Sequence, residues 1–116
     1  MEFEHLTVAL LVANPDAPEF SDEEVERLVD AHLSHVADLH EAGHLLAVGP
    51  LADPDGELRG CSILNVDVER ARELKSRDPA VQAGYFRLRV VPWMVPAGLV
   101  HFTPGRVPRS VAEARE

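Results

Sequence analysis

The spacing of apolar residues changes period several times along this chain, and that order limits the fold more than any single motif. From Phe3 to Ala13 the apolar side chains alternate. Leu6, Val8, Leu10 and Val12 make one strongly apolar face, while His5, Thr7, Ala9 and Leu11 make a more mixed one. Asn14-Pro15-Asp16-Ala17-Pro18 ends that strand. From Ser21 to Gly43 the period becomes three and four, through Val25, Leu28, Val29, Val36 and Leu39, which is an amphipathic helix. Ser21 and Glu24 form a capping box at its start, and Gly43 stands where a left-handed stop is expected.

Short apolar strands follow at His44 to Pro50 and at Glu57 to Val66. The turn signal Asp53-Pro54-Asp55-Gly56 joins them as a hairpin. Asp67 caps a second helix through about Arg77, with Val68, Ala71 and Leu74 spaced three apart. Tyr85 to Val91 is a fourth strand closed by Pro92-Trp93, and Gly98 to Phe102 offers a shorter extended piece. Thr103 to Glu116 carries little core material and reads as a tail.

The order β-α-β-β-α-β specifies an α+β, ferredoxin-like domain over residues 1–103, with residues 104–116 as the C-terminal tail. One antiparallel sheet carries two helices on one face. Phe86, Leu88 and Val90 should meet those helices, and Arg87 and Arg89 should point the other way. The strongly apolar face of the first strand is expected against the helices, leaving the mixed face open. That open face is only partly polar, so a second copy should cover it in a homodimer.

Composition excludes several function classes. A net charge of −9 with a single lysine, Lys75, offers no basic surface for nucleic acid. No apolar run approaches the roughly 20 residues needed to cross a bilayer. The first residues, Met1-Glu2-Phe3-Glu4-His5, are acidic where a signal peptide is basic, so a cytoplasmic location is expected. Cys61 is the only cysteine, which rules out an internal disulfide and a thiolate metal cluster in one chain. It sits in a strand and reads as a small buried hydrophobe.

His32 breaks the helical pattern. At about 100° per residue it lies within about 20° of the middle of the apolar stripe, so its imidazole should point at the core. Periodicity leaves two readings open, a hydrogen-bonded core histidine and the working group of a pocket. His35 follows one turn later, but two nitrogens do not make a metal site, and no metal is expected. Asp78-Pro79 is the signature of an N-cap with proline in the first helical position, which accounts for Asp78 without catalysis. Spacing cannot bring it to His32. Arg87 and Arg89, flanked by Tyr85 and Trp93, suit either a clamp on a planar oxygenated ligand or ordinary ion pairs.

Three segments together resemble the YCII-related (YciI-like) family of the dimeric α/β-barrel proteins. They are Ala31-His32-Leu33-Ser34-His35-Val36, the run Ala42-Gly43-His44-Leu45-Leu46-Ala47-Val48-Gly49-Pro50, and Asp78-Pro79-Ala80-Val81-Gln82-Ala83-Gly84 before an aromatic strand ending in Pro92-Trp93. The resemblance runs from about Phe3 to Trp93 and leaves Met94 to Glu116 outside it. It implies a dimeric barrel built on the ferredoxin-like protomer. It also implies a histidine–aspartate pair, which falls on His32 and Asp78, and chemistry without metal or organic cofactor. Relatives include dehydrochlorinases of chlorinated aromatics. His35, Gly49, Pro50, Tyr85, Arg87 and Arg89 are the residues expected around a small-molecule substrate.

The expected activity is therefore a lyase or isomerase that moves a proton on a small cyclic or aromatic oxygenated compound. A non-catalytic ligand-binding or regulatory homodimer, with His32 only supporting the core, is the competing reading. A haem- or metal-using barrel enzyme is the third.

Overall fold

The computed structural model describes residues 1–116. The elements run β1 (Phe3–Ala13), α1 (Asp22–Glu41), β2 (Leu45–Pro50), β3 (Leu58–Leu64), α2 (Val68–Lys75), α3 (Pro79–Gln82), β4 (Phe86–Pro96) and α4 (Val111–Ala114). The four strands form one antiparallel sheet in the order β2-β3-β1-β4. This is the ferredoxin-like arrangement, with β3 between the two parallel strands β1 and β2. No helix is long and apolar enough to cross a membrane.

Local chemistry sets the boundaries. The Ser21 hydroxyl accepts from the Glu24 N–H at 3.1 Å, and the Glu24 carboxylate accepts from the Ser21 N–H at 3.2 Å. That reciprocal box satisfies two of the donors a helix start leaves unpaired. At the other end Gly43 takes φ +83°. Its N–H donates to the His40 carbonyl and that of His44 to the Leu39 carbonyl, each at 3.0 Å. Only glycine adopts that conformation without cost, so α1 stops there. Asp53 organises the β2–β3 hairpin, its carboxylate accepting from the N–H groups of Asp55 and Leu58.

The core lies between the helices and one face of the sheet. Ala9, Leu45 and Leu64 from the strands meet Val36 and Leu39 of α1 and Ala71 and Leu74 of α2, with Leu88 and Val90 packed alongside. The two faces of β1 are thus the reverse of what their apolarity suggests. Thr7, Ala9 and Leu11 lie under the helices, and Thr7 is satisfied by donating to the Val66 carbonyl at 2.6 Å. Thr7 and Ala9 are small enough to let the helices approach, and much of the bulk comes from the helices and β3. Of the more apolar row, Leu6 is buried, while Val8, Leu10 and Val12 lie on the helix-free face and stay only half-buried. Its register neighbours are Ile63 and Cys61 on β3 and Val91, Arg89 and Arg87 on β4.

Three further corrections concern the C-terminal part. β4 does not close at Pro92 but runs on to Pro96, pairing with β1 back to Phe3. It is an edge strand, where a proline's missing N–H is tolerated. No fifth strand forms at Gly98 to Phe102. The chain turns at Pro96, where the carbonyl accepts from the Leu99 N–H, and continues as irregular backbone. Residues beyond Thr103 carry more than a tail would. Val107 packs against the core, and Ser110 caps the short helix α4. Arg109 pairs with Asp38 at 3.1 Å and Glu41 at 2.7 Å, while the Val111 N–H donates to the Asp30 carboxylate at 2.8 Å. The segment is thereby fastened to α1.

Candidate active site

His32 leaves the middle of α1 toward the junction of α2, α3 and β4. Asp78 reaches the same place because it caps α3. One carboxylate oxygen, Oδ1, accepts from the Ala80 N–H at 2.9 Å, and proline at the first helical position fixes the turn. The other, Oδ2, lies 2.5 Å from Nδ1 of His32, so capping and contact with the histidine are both served by one fully buried carboxylate.

The electrostatics follow from that burial. Burial alone would raise the Asp78 carboxyl, but the His32 hydrogen bond and charge, the Ala80 N–H and the charge of Lys75 together hold it below the usual carboxylate range. An ionised Oδ2 accepts only, so Nδ1 of His32 carries the proton and donates. In the neutral ring the other nitrogen, Nε2, is then an acceptor without a partner in the protein.

Two more bases crowd the same carboxylate. Nδ1 of His35 lies 4.0 Å from Asp78 Oδ2 and has no hydrogen-bond partner. Burial pushes His35 below the ordinary histidine range, against the pull of Asp78. Lys75 is wholly buried, its Nζ is likewise unpartnered, and burial pushes it below the ordinary lysine range. No three His, Cys, Asp or Glu side chains converge in a set that could hold a metal ion.

His32 forms part of the wall of a cavity of about 460 Å³ between α1 and the β2–β3 side of the sheet. That volume suits a small ring compound. Val29, Leu33 and Val36 of α1 line one side, and Leu11, Val48, Gly49, Pro50 and Phe86 of the sheet line the other. The Phe86 ring meets His32 edge-on at 6.0 Å between centroids. Ser62, Arg59 and Arg115 add the remaining polar side chains, and Val107, Pro108, Val111 and Ala114 supply a further wall from the C-terminal segment. Cys61 borders the space, but burial pushes its thiol up, away from a nucleophilic thiolate.

The residues expected from sequence therefore divide. His32, Gly49 and Pro50 line the cavity, and Asp78 stands behind His32. His35 reaches Asp78 but not the cavity. Tyr85 packs edge-on against Phe20 and Phe86 instead. Arg87 and Arg89 lie on the helix-free face, away from the cavity, and Arg87 pairs with Asp16 at 2.7 Å. Strand alternation explains this: a residue adjacent to Phe86 or Leu88 cannot share their face.

Sequence reasoning missed Lys75, Arg59 and the C-terminal wall. Lys75 had a readable signal. It falls four residues after Ala71 and seven after Val68, on the same stripe, as anomalous there as His32 is on α1. The Ser110 and Glu113 pair also had one, since Ser110 accepts from the Glu113 N–H as a cap should. Nothing in the local pattern of Arg59 marks it.

A family model described as the YCII-related domain matches residues 6–94. Among curated proteins, none matches the sequence significantly. Among solved structures, the 5-chloro-2-hydroxyhydroquinone dehydrochlorinase (TftG) from Burkholderia phenoliruptrix, in complex with 2,5-dihydroxybenzoquinone, superposes with a TM-score of 0.51. The identity is 18%, with 76% of this chain and 92% of that chain covered. A likeness at that identity speaks for the fold.

Proposed function

The chain belongs to the YCII-related domain family, and from that membership we propose that it is a lyase or isomerase that moves a proton on a small cyclic, oxygenated substrate. The observation that carries the reading is the 2.5 Å contact of His32 Nδ1 with Asp78 Oδ2 at the edge of an apolar cavity. With Nδ1 committed to Asp78, Nε2 is the base. It takes a proton from a ring carbon or hydroxyl, and the electron pair left behind either expels a leaving group such as chloride or shifts within the ring. Asp78 stabilises the imidazolium formed, which then returns its proton to the leaving group, to solvent or to another ring atom. A positioned base of this kind contributes roughly 10²–10⁴-fold in rate. The structural neighbour's name, a dehydrochlorinase, points to elimination as the first reaction to try.

The helix-free face supports a homodimer. Val8, Leu10, Val12, Ile63 and Val91 are apolar register neighbours on one face across three strands, with Arg87 and Arg89 along its β4 edge, and a second copy packed sheet to sheet would bury the apolar part. Analytical ultracentrifugation should give a dimer, and Val8→Asp should shift it to monomer. A monomer for the unsubstituted chain at micromolar concentration would sink the assembly.

The activity is tested by chloride release from a chlorinated hydroxyhydroquinone. His32→Ala should lower the rate by about 10²–10⁴-fold while the circular dichroism spectrum is kept. An undiminished rate in that variant would remove His32 from the chemistry. Tight binding of ring compounds with no turnover of any would favour the ligand-binding reading instead.

A further inference from the structure

We propose that the cavity selects ring compounds carrying a negative charge, received by Arg59 and by Arg115, the latter delivered by the C-terminal segment. This deepens the proposed function, since it names the substrate class of the same cavity.

The charge balance of the lining is the first observation. The chain has 20 acidic residues against 11 Lys and Arg. Yet no Asp or Glu lines the cavity, and its charged side chains are two arginines. The second observation is that these arginines are not spent elsewhere. Arg70, Arg77, Arg87, Arg106 and Arg109 pair with carboxylates of the protein, and of the five arginines without such a partner (Arg27, Arg59, Arg72, Arg89 and Arg115) only Arg59 and Arg115 line the cavity. A guanidinium at the rim of an apolar cavity, with its donors uncommitted to a protein carboxylate, has the geometry to receive an anion.

Arg59 is also positioned. Its guanidinium carbon lies 5.8 Å from the centroid of the Phe86 ring, a cation–π distance that orients the fork without consuming its donors. Phe86 in turn touches His32 edge-on. A ring held among Leu11, Val36, Val48 and Phe86 would thus meet a base and a cation together. The same cations would stabilise the oxyanion that forms when His32 removes a proton, so their effect extends to the transition state.

Arg115 arrives by a segment built as a wall. Arg109 ties it to Asp38 and Glu41, and the Val111 N–H ties it to Asp30. Val107 seats it on the core. The family match ends at residue 94, so this wall lies outside the matched region.

The test is a calorimetric or NMR titration at fixed ionic strength with benzoate and with benzamide, nearly the same shape with and without the charge. Benzoate should bind about tenfold more tightly. Arg59→Gln and Arg115→Gln should each weaken benzoate by about threefold to tenfold, with benzamide unchanged within about twofold. Both side chains are exposed, so both variants should keep the fold. Equal affinities for the two probes, no measurable binding of either, or a charge preference that survives the double substitution would each overturn the proposal. The readout needs no turnover. An Arg-dependent preference for benzoate in a protein whose turnover is indifferent to His32→Ala would discard the catalytic reading and leave this one standing.

Discussion

Asp78 faces two histidines and treats them differently. Toward His32 the contact is short, directed and completed by a cavity. Toward His35 and Lys75 the same carboxylate offers only proximity, and both nitrogens are buried without a partner. The first side is a satisfied pair, the one on which the proposed proton transfer rests. The second is a pocket of uncompensated polarity that costs stability, because a buried donor without an acceptor loses its hydration for nothing. Burial by itself therefore does not mark a working group. The marks are a directed partner on one nitrogen and open space at the other.

The largest stability effect expected from this comparison is at Asp78. Asp78→Ala removes the α3 cap and the partner of His32 at once, and should destabilise the fold by about 3–5 kcal/mol in urea titrations. A loss below about 1 kcal/mol would mean that the pair contributes little to the folded state. Next comes the orphan side. Lys75→Met replaces an unpartnered ammonium with an apolar chain of similar length and should stabilise by about 1–3 kcal/mol. Destabilisation would show that Nζ has a partner, and the contrast between the two sides would collapse.

The smallest effect is on pH dependence, and its sign is fixed. Lys75 and His35 have native values below their ordinary ones, so below those ordinary values the unfolded chain binds more protons than the native one. Stability from these two groups therefore rises with pH up to the ordinary values. Asp78, whose native value is depressed, contributes stability present above the ordinary carboxylate value and lost as pH falls through the native one. Both trends make the protein acid-labile. Lys75→Met should flatten the rise on the alkaline side and leave the acid limb in place. A Lys75→Met profile that parallels the unsubstituted protein up to alkaline pH would contradict the assignment.

Much of this was legible in the chain because the deciding interactions are local. The capping box at Ser21, the glycine stop at Gly43, the Asp53 turn and the Asp78-Pro79 cap each involve residues within a few positions of one another. The element order followed from them. The faces of β1 were not legible, because hydropathy ranks two apolar faces without saying which layer each one meets. Arg87 and Arg89 left the site for a related reason. Their aromatic neighbours suggested a clamp, while strand alternation sends them to the opposite face from Phe86. The meeting of His32 with Asp78 spans 46 residues, and no local pattern encodes a contact of that length. Only the family resemblance suggested it. Arg115 and Val107 fall outside that resemblance, and their approach to the cavity rests on ion pairs between α1 and distant residues.

The central claim is that Asp78 holds the proton on Nδ1 and leaves Nε2 free as the base. Long-range ¹⁵N–¹H NMR of the imidazoles, with His32 assigned by its absence in His32→Ala, reads that tautomer directly. The neutral ring of His32 should show a protonated Nδ1 and a bare Nε2, and Asp78→Asn should abolish that bias. A neutral His32 with its proton on Nε2 would leave the cavity facing a donor rather than a base, and would contradict the account.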